Sequence, residues 1–505
     1  MGAAFAVLAV GAISAISTAQ TVVPTAPELP PPPPPERDRY LVTIGSFGEG
    51  NAAATAADAA DEGPDGGARG PAVDAATPLA GGRLLLFFTP ATPAWNGIAP
   101  IEGPFLGRLQ PVVSIPLRGL APGATVALDD TLPDLFGGPL DELEGRWRVQ
   151  AVVDSDFTER GHLGPGNLVS DIVEVDLARD VADEVRLVAA QRLEAAPPPE
   201  VAGVEWIERR SERLSRHFGR EFRMRAGVVK PYGYDDLAFP RRFWPTIFVV
   251  GGFGANHLAA ADLAGALRAR ETRAAVPQAV WVFLDADTPW GHSGFCDSEA
   301  NGPIGTALVE EFIPFLEERF RLIASPEARL VTGHSSGGWT ALHLLVTHPD
   351  TFGRAWASAP DPVDFTAFGR VDLATARSLF EAVDGTPVPS ARMAIGPSDD
   401  AVSMLVEDEY RCERAIDPDG RSGEQWSAWE AMWSPLDPST GAPRALCDPR
   451  TGAIDAETVA GWSRHDLARR LEDDPATIAP ILANRARILC GTRDTYYLNE
   501  AVARL

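Results

Sequence analysis

Short apolar runs, separated by Pro- and Gly-rich turns, follow one another in the N-terminal part of the chain. Residues 83–88 form one such run, and residues 172–177 alternate apolar with polar side chains. Short strands with turn residues between them are typical of a β-sandwich. The pattern therefore predicts a β-sandwich-like domain over residues 38–190. Within it, residues 50–80 are rich in Ala, Gly and Asp, a composition that favours a mobile loop.

Strands and helices begin to alternate after the proline run at residues 197–199. Residues 246–250 form a compact apolar run, and residues 306–319 repeat apolar side chains at helical spacing. This alternation indicates a mostly parallel sheet with helices on both faces, the doubly wound α/β class. It predicts an α/β domain over residues 200–505. Residues 365–480 interrupt the alternation of strands and helices with a polar sequence that contains Trp. We interpret this segment as a helical insertion.

The N-terminus has the pattern of an export signal. Residues 3–16 are apolar or small, and they are too few for a membrane span of about 20 residues. Small side chains at Ser17 and Ala19 favour a signal peptide over residues 1–19, followed by a Pro-rich linker over residues 20–37. We expect a secreted or periplasmic protein. Since no Lys or Arg precedes the apolar run, a retained anchor stays open, and only that form would contact a membrane.

The composition excludes some classes of function. A net charge of −26 disfavours nucleic-acid binding, which needs clusters of Lys and Arg against the phosphates. The cysteines fit an exported protein with disulfides, and Cys412 and Cys447 form the candidate pair. Cys296 and Cys490 are candidate buried thiols. No CxxC motif occurs, so the sequence indicates neither a redox dithiol nor a zinc site, and we expect no metal or cofactor.

The motif that carries chemistry is Gly-His-Ser-Ser-Gly at residues 333–337. An apolar strand is predicted before it at residues 330–332, and a helix is predicted after it. A G-x-S-x-G sequence in this setting is typical of a nucleophile elbow, a sharp turn that exposes the serine hydroxyl. Both glycines are needed because a Cβ at either position would crowd the turn. The motif therefore predicts that Ser335 is a nucleophile.

A serine nucleophile also needs two N–H donors for the oxyanion that develops on the substrate. We expect one to be the backbone N–H of Ser336, directly after the nucleophile. We expect the other from the loop after residues 246–250, which reads Gly-Gly-Phe-Gly. Phe253 and Gly254 are both candidates. A glycine-rich turn without a catalytic role is the alternative interpretation of this loop.

A catalytic acid is expected after a late strand of the sheet. Asp494 follows a short strand predicted at residues 486–490, and the order serine then aspartate fits an α/β-hydrolase. The alternative is that Asp494 caps the helix that follows it.

Four stretches of the chain together resemble one esterase family. They lie at residues 297–303, 333–338, 359–365 and 494–499. The family includes esterase D and enterochelin esterase, and the similarity covers about residues 205–505. The resemblance implies an α/β-hydrolase fold, no metal, and a Ser–Asp–His triad that hydrolyses a carboxylic ester or a related acyl bond.

The resemblance assigns the triad serine to Ser335 and the triad acid to Asp494, but the triad histidine is missing from its place. The family's histidine follows the acid, and no histidine follows Asp494 here. We therefore expect the chain to be truncated at its C-terminus, with His465 as the alternative base. His292 and His334 are candidate substrate-binding residues.

Three functions stay open at this point. The first is an exported serine esterase that acts on a small-molecule or acyl ester substrate through Ser335. The second is a non-catalytic binding protein on a hydrolase fold that lacks its base. The third is an acyltransferase or peptidase that uses the same serine.

Overall fold

The described part of the chain contains two large β-sheets, which follow each other in the sequence. The signal peptide, the Pro-rich linker and the mobile loop expected from the sequence lie outside the residues that the structure describes. The structure is a computed structural model that describes residues 40–44, 81–102, 109–119, 123–128, 134–138, 140–177, 184–235, 241–268, 276–393 and 401–505.

The N-terminal unit is built on a nine-stranded sheet, counted over the described residues. Its strands are β1 Tyr40–Ile44, β2 Gly82–Pro90, β3 Val112–Leu117, β4 Thr125–Leu128, β5 Asp134–Phe136, β6 Gly145–Asp154, β7 Leu168–Ser170, β8 Val173–Leu177 and β9 Val185–Arg192. Their order is β4-β1-β9-β7-β6-β2-β3-β5, with β8 paired to β6 beside this path.

This sheet curls back on itself. Three strands separate β1 from β2 in the sheet order, yet the rings of Tyr40 and Phe88 pack edge to face with centroids 5.4 Å apart. The long strand β6 causes the bend, because one half of it pairs with β8 and the other half with β7. The predicted β-sandwich is therefore not confirmed: the described strands enclose their core within one curled sheet and do not divide into two separate sheets.

The second sheet has seven strands among the described residues, and two short ribbons lie outside it. The sheet strands are β10 Val204–Arg210, β11 Arg223–Val229, β12 Thr246–Val250, β13 Val280–Leu284, β16 Arg329–Ser335, β17 Arg354–Pro360 and β20 Ala486–Leu489. The ribbons are β14 Asp287–Thr288 with β15 Gly291–His292, and β18 Pro389–Arg392 with β19 Val402–Leu405.

The strand order of the second sheet is β10-β11-β13-β12-β16-β17-β20. The first two pairings are antiparallel, and every pairing from β13 to β20 is parallel. Parallel strands bring their carboxyl ends to one edge of the sheet, so the loops after β12, β13, β16 and β17 meet there. The mostly parallel sheet predicted from the sequence is confirmed.

Helices connect and cover these strands. They are α1 Glu212–Phe218, α2 Ala260–Arg268, α3 Ile304–Ala307, α4 Ile313–Phe320, α5 Ser336–Thr347, α6 Val406–Ile416, α7 Gln425–Trp433, α8 Ala456–Trp462, α9 Leu467–Asp473, α10 Pro475–Arg485 and α11 Leu498–Arg504. A π-helical turn at Leu308–Phe312 joins α3 to α4, next to Pro314, which has no N–H for an α-helical hydrogen bond. None of the described helices combines the length and apolarity that a membrane span requires.

The segment expected to be a helical insertion, residues 365–480, holds α6 to α9 and most of α10, together with the ribbon of β18 and β19. Its centre is aromatic. The rings of Trp433 and Trp462 lie 5.0 Å apart, as do those of Trp426 and Trp429. Such edge-to-face pairs add to the stabilisation that burial of the rings provides.

The two units share an apolar interface formed by helix α6. Leu85, Phe87 and Val152 of the N-terminal sheet pack in one cluster with Cys412 and Ile416 of this helix. The N-terminal unit therefore packs against the insertion at residues 365–480 of the second unit.

This interface corrects the expected disulfide. Cys412 faces the N-terminal sheet, whereas Cys447 lies by Tyr410 in the core of the second unit. Tyr410 and Cys412 are two residues apart, roughly 200° around the helix, so they point to opposite sides. All four cysteines are free, and Cys490 is only partly buried.

Candidate active site

Ser335 lies at the junction of β16 and α5 in a backbone conformation that few residues with a side chain adopt. Its φ is 56° and its ψ is −123°. A conformation of this kind costs on the order of 1–3 kcal/mol and persists only where the surrounding structure fixes it. Here the interior strand β16 leads into the turn and the buried helix α5 leaves it. The turn presents the serine at the carboxyl edge of the sheet.

Gly333 and Gly337 make this turn possible. A Cβ at Gly333 would lie 2.2 Å from the carbonyl oxygen of Gly337, and a Cβ at Gly337 would lie 2.1 Å from that of Val250. Both distances are far below van der Waals contact, so neither position accepts a larger residue unless the backbone moves. The turn therefore packs directly against the end of β12.

The Ser335 hydroxyl donates a hydrogen bond to Asp361. The distance from Ser335 Oγ to Asp361 Oδ1 is 3.0 Å. The second carboxylate oxygen, Oδ2, accepts from Ser336 Oγ at 2.7 Å and from Trp429 Nε1 at 2.9 Å. Asp361 is 3% exposed, and this burial raises its pKa, while the hydrogen bonds from Ser336, Trp429 and Ser335 act in the opposite direction.

Asp361 is not among the site residues predicted from the sequence. It directly follows β17, the strand that pairs with β16, so the two carboxyl ends bring Asp361 and Ser335 together. The signal for Asp361 is a carboxylate directly after the strand next to β16. This signal can be recognised only when the strand order is known.

The loop after β12 closes over the nucleophile. A Cβ on Gly252 would lie 3.2 Å from Ser335 Cβ, so the backbone passes close to the serine side chain with no room for a larger residue. The N–H of Ala255 donates to the carbonyl oxygen of Gly252 at 3.0 Å and closes a turn with Phe253 and Gly254 at its centre. Gly254 has a φ of 81°, which suits the third residue of a type II turn.

His292 is buried beneath this loop, with 1% of its surface exposed. Its Nδ1 accepts from the N–H of Gly294 at 3.2 Å, so its Nε2 carries the proton and donates to the carbonyl oxygen of Gly251 at 3.1 Å. Burial lowers the pKa of His292, which favours the neutral ring. Both ring nitrogens are occupied inside the protein, and the bond to Gly251 supports the loop. Substrate contact by His292 stays a prediction.

His334 lies beside the nucleophile and is exposed. Its Nδ1 lies 3.4 Å from Ser358 Oγ. Substrate contact by His334 stays a prediction, and its exposed position next to Ser335 is compatible with it.

Asp494 follows β20, as expected, but its contacts are those of a helix cap. Its Oδ1 accepts from the N–H groups of Tyr496 at 2.9 Å and Leu498 at 3.2 Å, at the start of α11. Over the described residues, no hydrogen bond joins Asp494 to Ser335 or to a histidine. The triad role of Asp494 stays a prediction.

His465 is engaged away from the nucleophile. Its Nδ1 lies 3.4 Å from Cys296 Sγ, and its Nε2 accepts from Arg464 Nε at 2.9 Å. Burial, together with the nearby positive charge of Arg464, lowers its pKa to about 3. All eight histidines lie within the described ranges, and none of them forms a hydrogen bond with Ser335. Within the same ranges, no group of three or more His, Cys, Asp or Glu side chains is placed to hold a metal ion.

The sheet order and the serine turn that follows β16 define an α/β-hydrolase fold. Residues 292–468 match the family model described as "Putative esterase", which confirms the esterase resemblance seen in the sequence. The matched segment contains both Ser335 and Asp361.

Solved esterase structures show similarity at low identity. A ferulic acid esterase from Anaeromyces mucronatus is 19% identical, with a TM-score of 0.25, and the match covers 34% of this chain and 65% of that one. An S-formylglutathione hydrolase from Agrobacterium tumefaciens is 14% identical, with a TM-score of 0.27, over 61% of this chain and 94% of that one. The enterobactin esterase from Shigella flexneri is 14% identical, with a TM-score of 0.25, over 57% and 68%. No curated protein sequence matches this chain.

Proposed function

We propose that this protein is a serine esterase in which Ser335 forms an acyl-enzyme with a carboxylic ester substrate. The conformation of Ser335, with φ of 56° on a turn between two obligatory glycines, is the observation that carries the proposal. A strained residue of this kind needs a fixed surrounding structure, and such strain is concentrated at functional sites. An ordinary strand-to-helix connection has no need of it.

The Ser335 oxygen attacks the ester carbonyl carbon, and the bond to the leaving alcohol then breaks. Water hydrolyses the acyl-enzyme in a second step that repeats the same proton movements. The N–H of Ser336 is one donor to the oxyanion. Phe253 is favoured over Gly254 as the other donor, because it directly follows Gly252, whose backbone passes close to the serine side chain.

We assign the base to Asp361. A serine hydroxyl needs a neighbouring base, and the described side chain that accepts its hydrogen bond is this carboxylate. Burial raises the pKa of Asp361, which makes it a stronger base than an exposed aspartate. The proton moves from Ser335 Oγ to Asp361 Oδ1 during attack and passes to the alcohol oxygen as it leaves. In the alternative assignment, the base is a histidine oriented by Asp494. Asp361 would then not need to accept a proton from Ser335.

A non-catalytic binding protein is the second candidate function. The observation that favours it is that no histidine side chain of the described residues forms a hydrogen bond with Ser335. In this case the hydrolase fold would bind an ester or a related ligand without cleaving it.

Hydrolysis of short 4-nitrophenyl esters distinguishes the two functions. We expect turnover by the full chain, a loss on the order of 10⁶-fold in kcat for Ser335→Ala when the nucleophile is removed, and no change for Ser439→Ala, which alters an exposed serine. Ligand binding without turnover would instead support the binding protein, and equal turnover by Ser335→Ala would contradict Ser335 as the nucleophile.

A further inference from the structure

Arg160 of the N-terminal unit contacts three segments of the second unit. Its guanidinium carbon lies 4.2 Å from the ring centroid of Phe253. Its Nε donates to the carbonyl oxygen of Gly423 at 2.9 Å, and its Nη1 donates to Asp287 Oδ2 at 3.3 Å. Its Nη2 lies 4.0 Å from Glu424 Oε2.

Close backbone packing fixes the position of Arg160. A Cβ on Gly161 would lie 2.8 Å from the carbonyl oxygen of Ser422, and a Cβ on Gly423 would lie 2.9 Å from Arg160 Cγ. The Arg160 side chain is 20% exposed. The guanidinium is therefore held between the two units and is not a mobile surface group.

The ring that Arg160 covers belongs to the turn over the nucleophile. The turn has two anchors besides its contact with Ser335. His292 holds the carbonyl oxygen of Gly251 from below, and Arg160 holds the Phe253 ring from the side of the N-terminal unit. A guanidinium stacked on an aromatic ring is attracted to it electrostatically, and partial burial strengthens the attraction.

The same arginine is linked to the second element of the site. Gly423 and Glu424, which it contacts, directly precede α7. From α7, Trp429 donates to Asp361, and Gln425 lies 3.5 Å from Ser336 Oγ. Arg160 thus connects the turn above Ser335 to the helix that orients the proposed base.

Arg160 is also the positive charge beside two buried carboxyl groups. Burial raises the pKa of Asp287 and raises that of Glu424 to about 7, and in both cases Arg160 acts in the opposite direction. Removal of the guanidinium would leave both carboxyl groups without this counter-charge, so the contacts around it would rearrange.

We propose that Arg160 is a positioning residue of the esterase site. Arg160 holds the turn at residues 252–255 so that the backbone N–H of Phe253 faces the oxyanion. The N-terminal unit is then part of the catalytic machinery and not a separate binding module. Arg160 has this role only if the chain is the serine esterase proposed above.

The test compares Arg160→Gln, Arg160→Lys and Phe253→Leu with the control Arg146→Gln, whose side chain is 64% exposed in a surface ion pair. We expect Arg160→Gln to lower kcat by about 10- to 100-fold while KM changes less than about threefold, because the turn binds the transition state and not the ground state. Arg160→Lys recovers part of the loss, and Arg146→Gln has no effect. The double variant Arg160→Gln/Phe253→Leu loses no more than the worse single variant, since both changes break one contact.

Each outcome separates the two proposals. If the wild type turns over substrate but Arg160→Gln has an unchanged kcat, the role of Arg160 is overturned and the esterase proposal stands. Additive losses in the double variant have the same meaning. Absence of turnover and of covalent labelling in the wild type overturns both proposals. If Arg160→Gln does not fold, Arg160→Lys and Phe253→Leu carry the same comparison, with thermal unfolding measured on each variant.

Discussion

Ser335 and Asp361 form a direct 3.0 Å hydrogen bond from the serine hydroxyl to the carboxylate, and the backbone N–H of Asp361 donates to the carbonyl oxygen of Ser335 at 3.1 Å. The pair exists because β16 and β17 are adjacent and parallel, so both residues lie at the same edge of the sheet. Trp429 and Ser336 hold the other carboxylate oxygen. The carboxylate is therefore fixed in position before any substrate binds.

The first prediction concerns Asp361→Asn. The amide has the shape of the carboxylate but cannot take a proton from Ser335, so kcat/KM for a 4-nitrophenyl ester should fall by about 10²- to 10⁴-fold. Asp384→Asn, which alters an exposed turn, is the matched control. Activity of Asp361→Asn within about threefold of the wild type would assign the base to another group.

The second prediction is the pH dependence of the wild type. Burial raises the pKa of Asp361 above the usual aspartate value of 3.8. Only the ionised carboxylate accepts a proton, so kcat/KM should fall as the pH drops through this raised pKa, at a higher pH than an exposed aspartate would give. A pH–rate profile measures the midpoint. A profile that stays flat down to the usual carboxyl range would contradict the assignment.

The third prediction concerns stability and Glu424→Gln. Burial raises the pKa of Glu424 from 4.5 to about 7, so the folded state keeps a proton that the unfolded chain has released. The wild type should therefore lose stability relative to Glu424→Gln as the pH rises from about 5 to about 8.5, by on the order of 3 kcal/mol. Denaturant unfolding at the two pH values measures this, and a difference that does not change with pH would be inconsistent with it.

The fourth prediction tests the cysteines. All four are free in the structure, so Ellman's reagent should titrate 4 thiols per chain after unfolding without reductant. The folded protein should react more slowly, because Cys296, Cys412 and Cys447 are buried. A titration of only 2 thiols would indicate one disulfide, such as the pair Cys412 and Cys447 expected from the sequence.

Local pattern was enough to predict the elbow and several strands. The apolar run at residues 246–250 is β12 residue for residue, and Ser335 lies on the turn that its two glycines require. Both depend on interactions within a few residues along the chain, which is the range that a sequence pattern describes.

Contacts between distant segments could not be predicted in this way. Asp361 depends on the order of the parallel strands, and Arg160 reaches Asp287 and Gly423 across 127 and 263 positions of sequence. The sequence also does not show which face of α6 meets the N-terminal sheet, so it could not exclude a disulfide at Cys412. The curl of that sheet likewise arises from the split pairing of β6.

The central claim is that Ser335 is an activated nucleophile, and covalent labelling with a fluorophosphonate tests it most directly. The probe forms a bond only with a serine that a base and oxyanion donors activate. We expect one adduct per chain, located by mass spectrometry on the peptide that contains Ser335, and no adduct in Ser335→Ala. No adduct on the folded wild-type protein, or an equal adduct in Ser335→Ala, would contradict the claim.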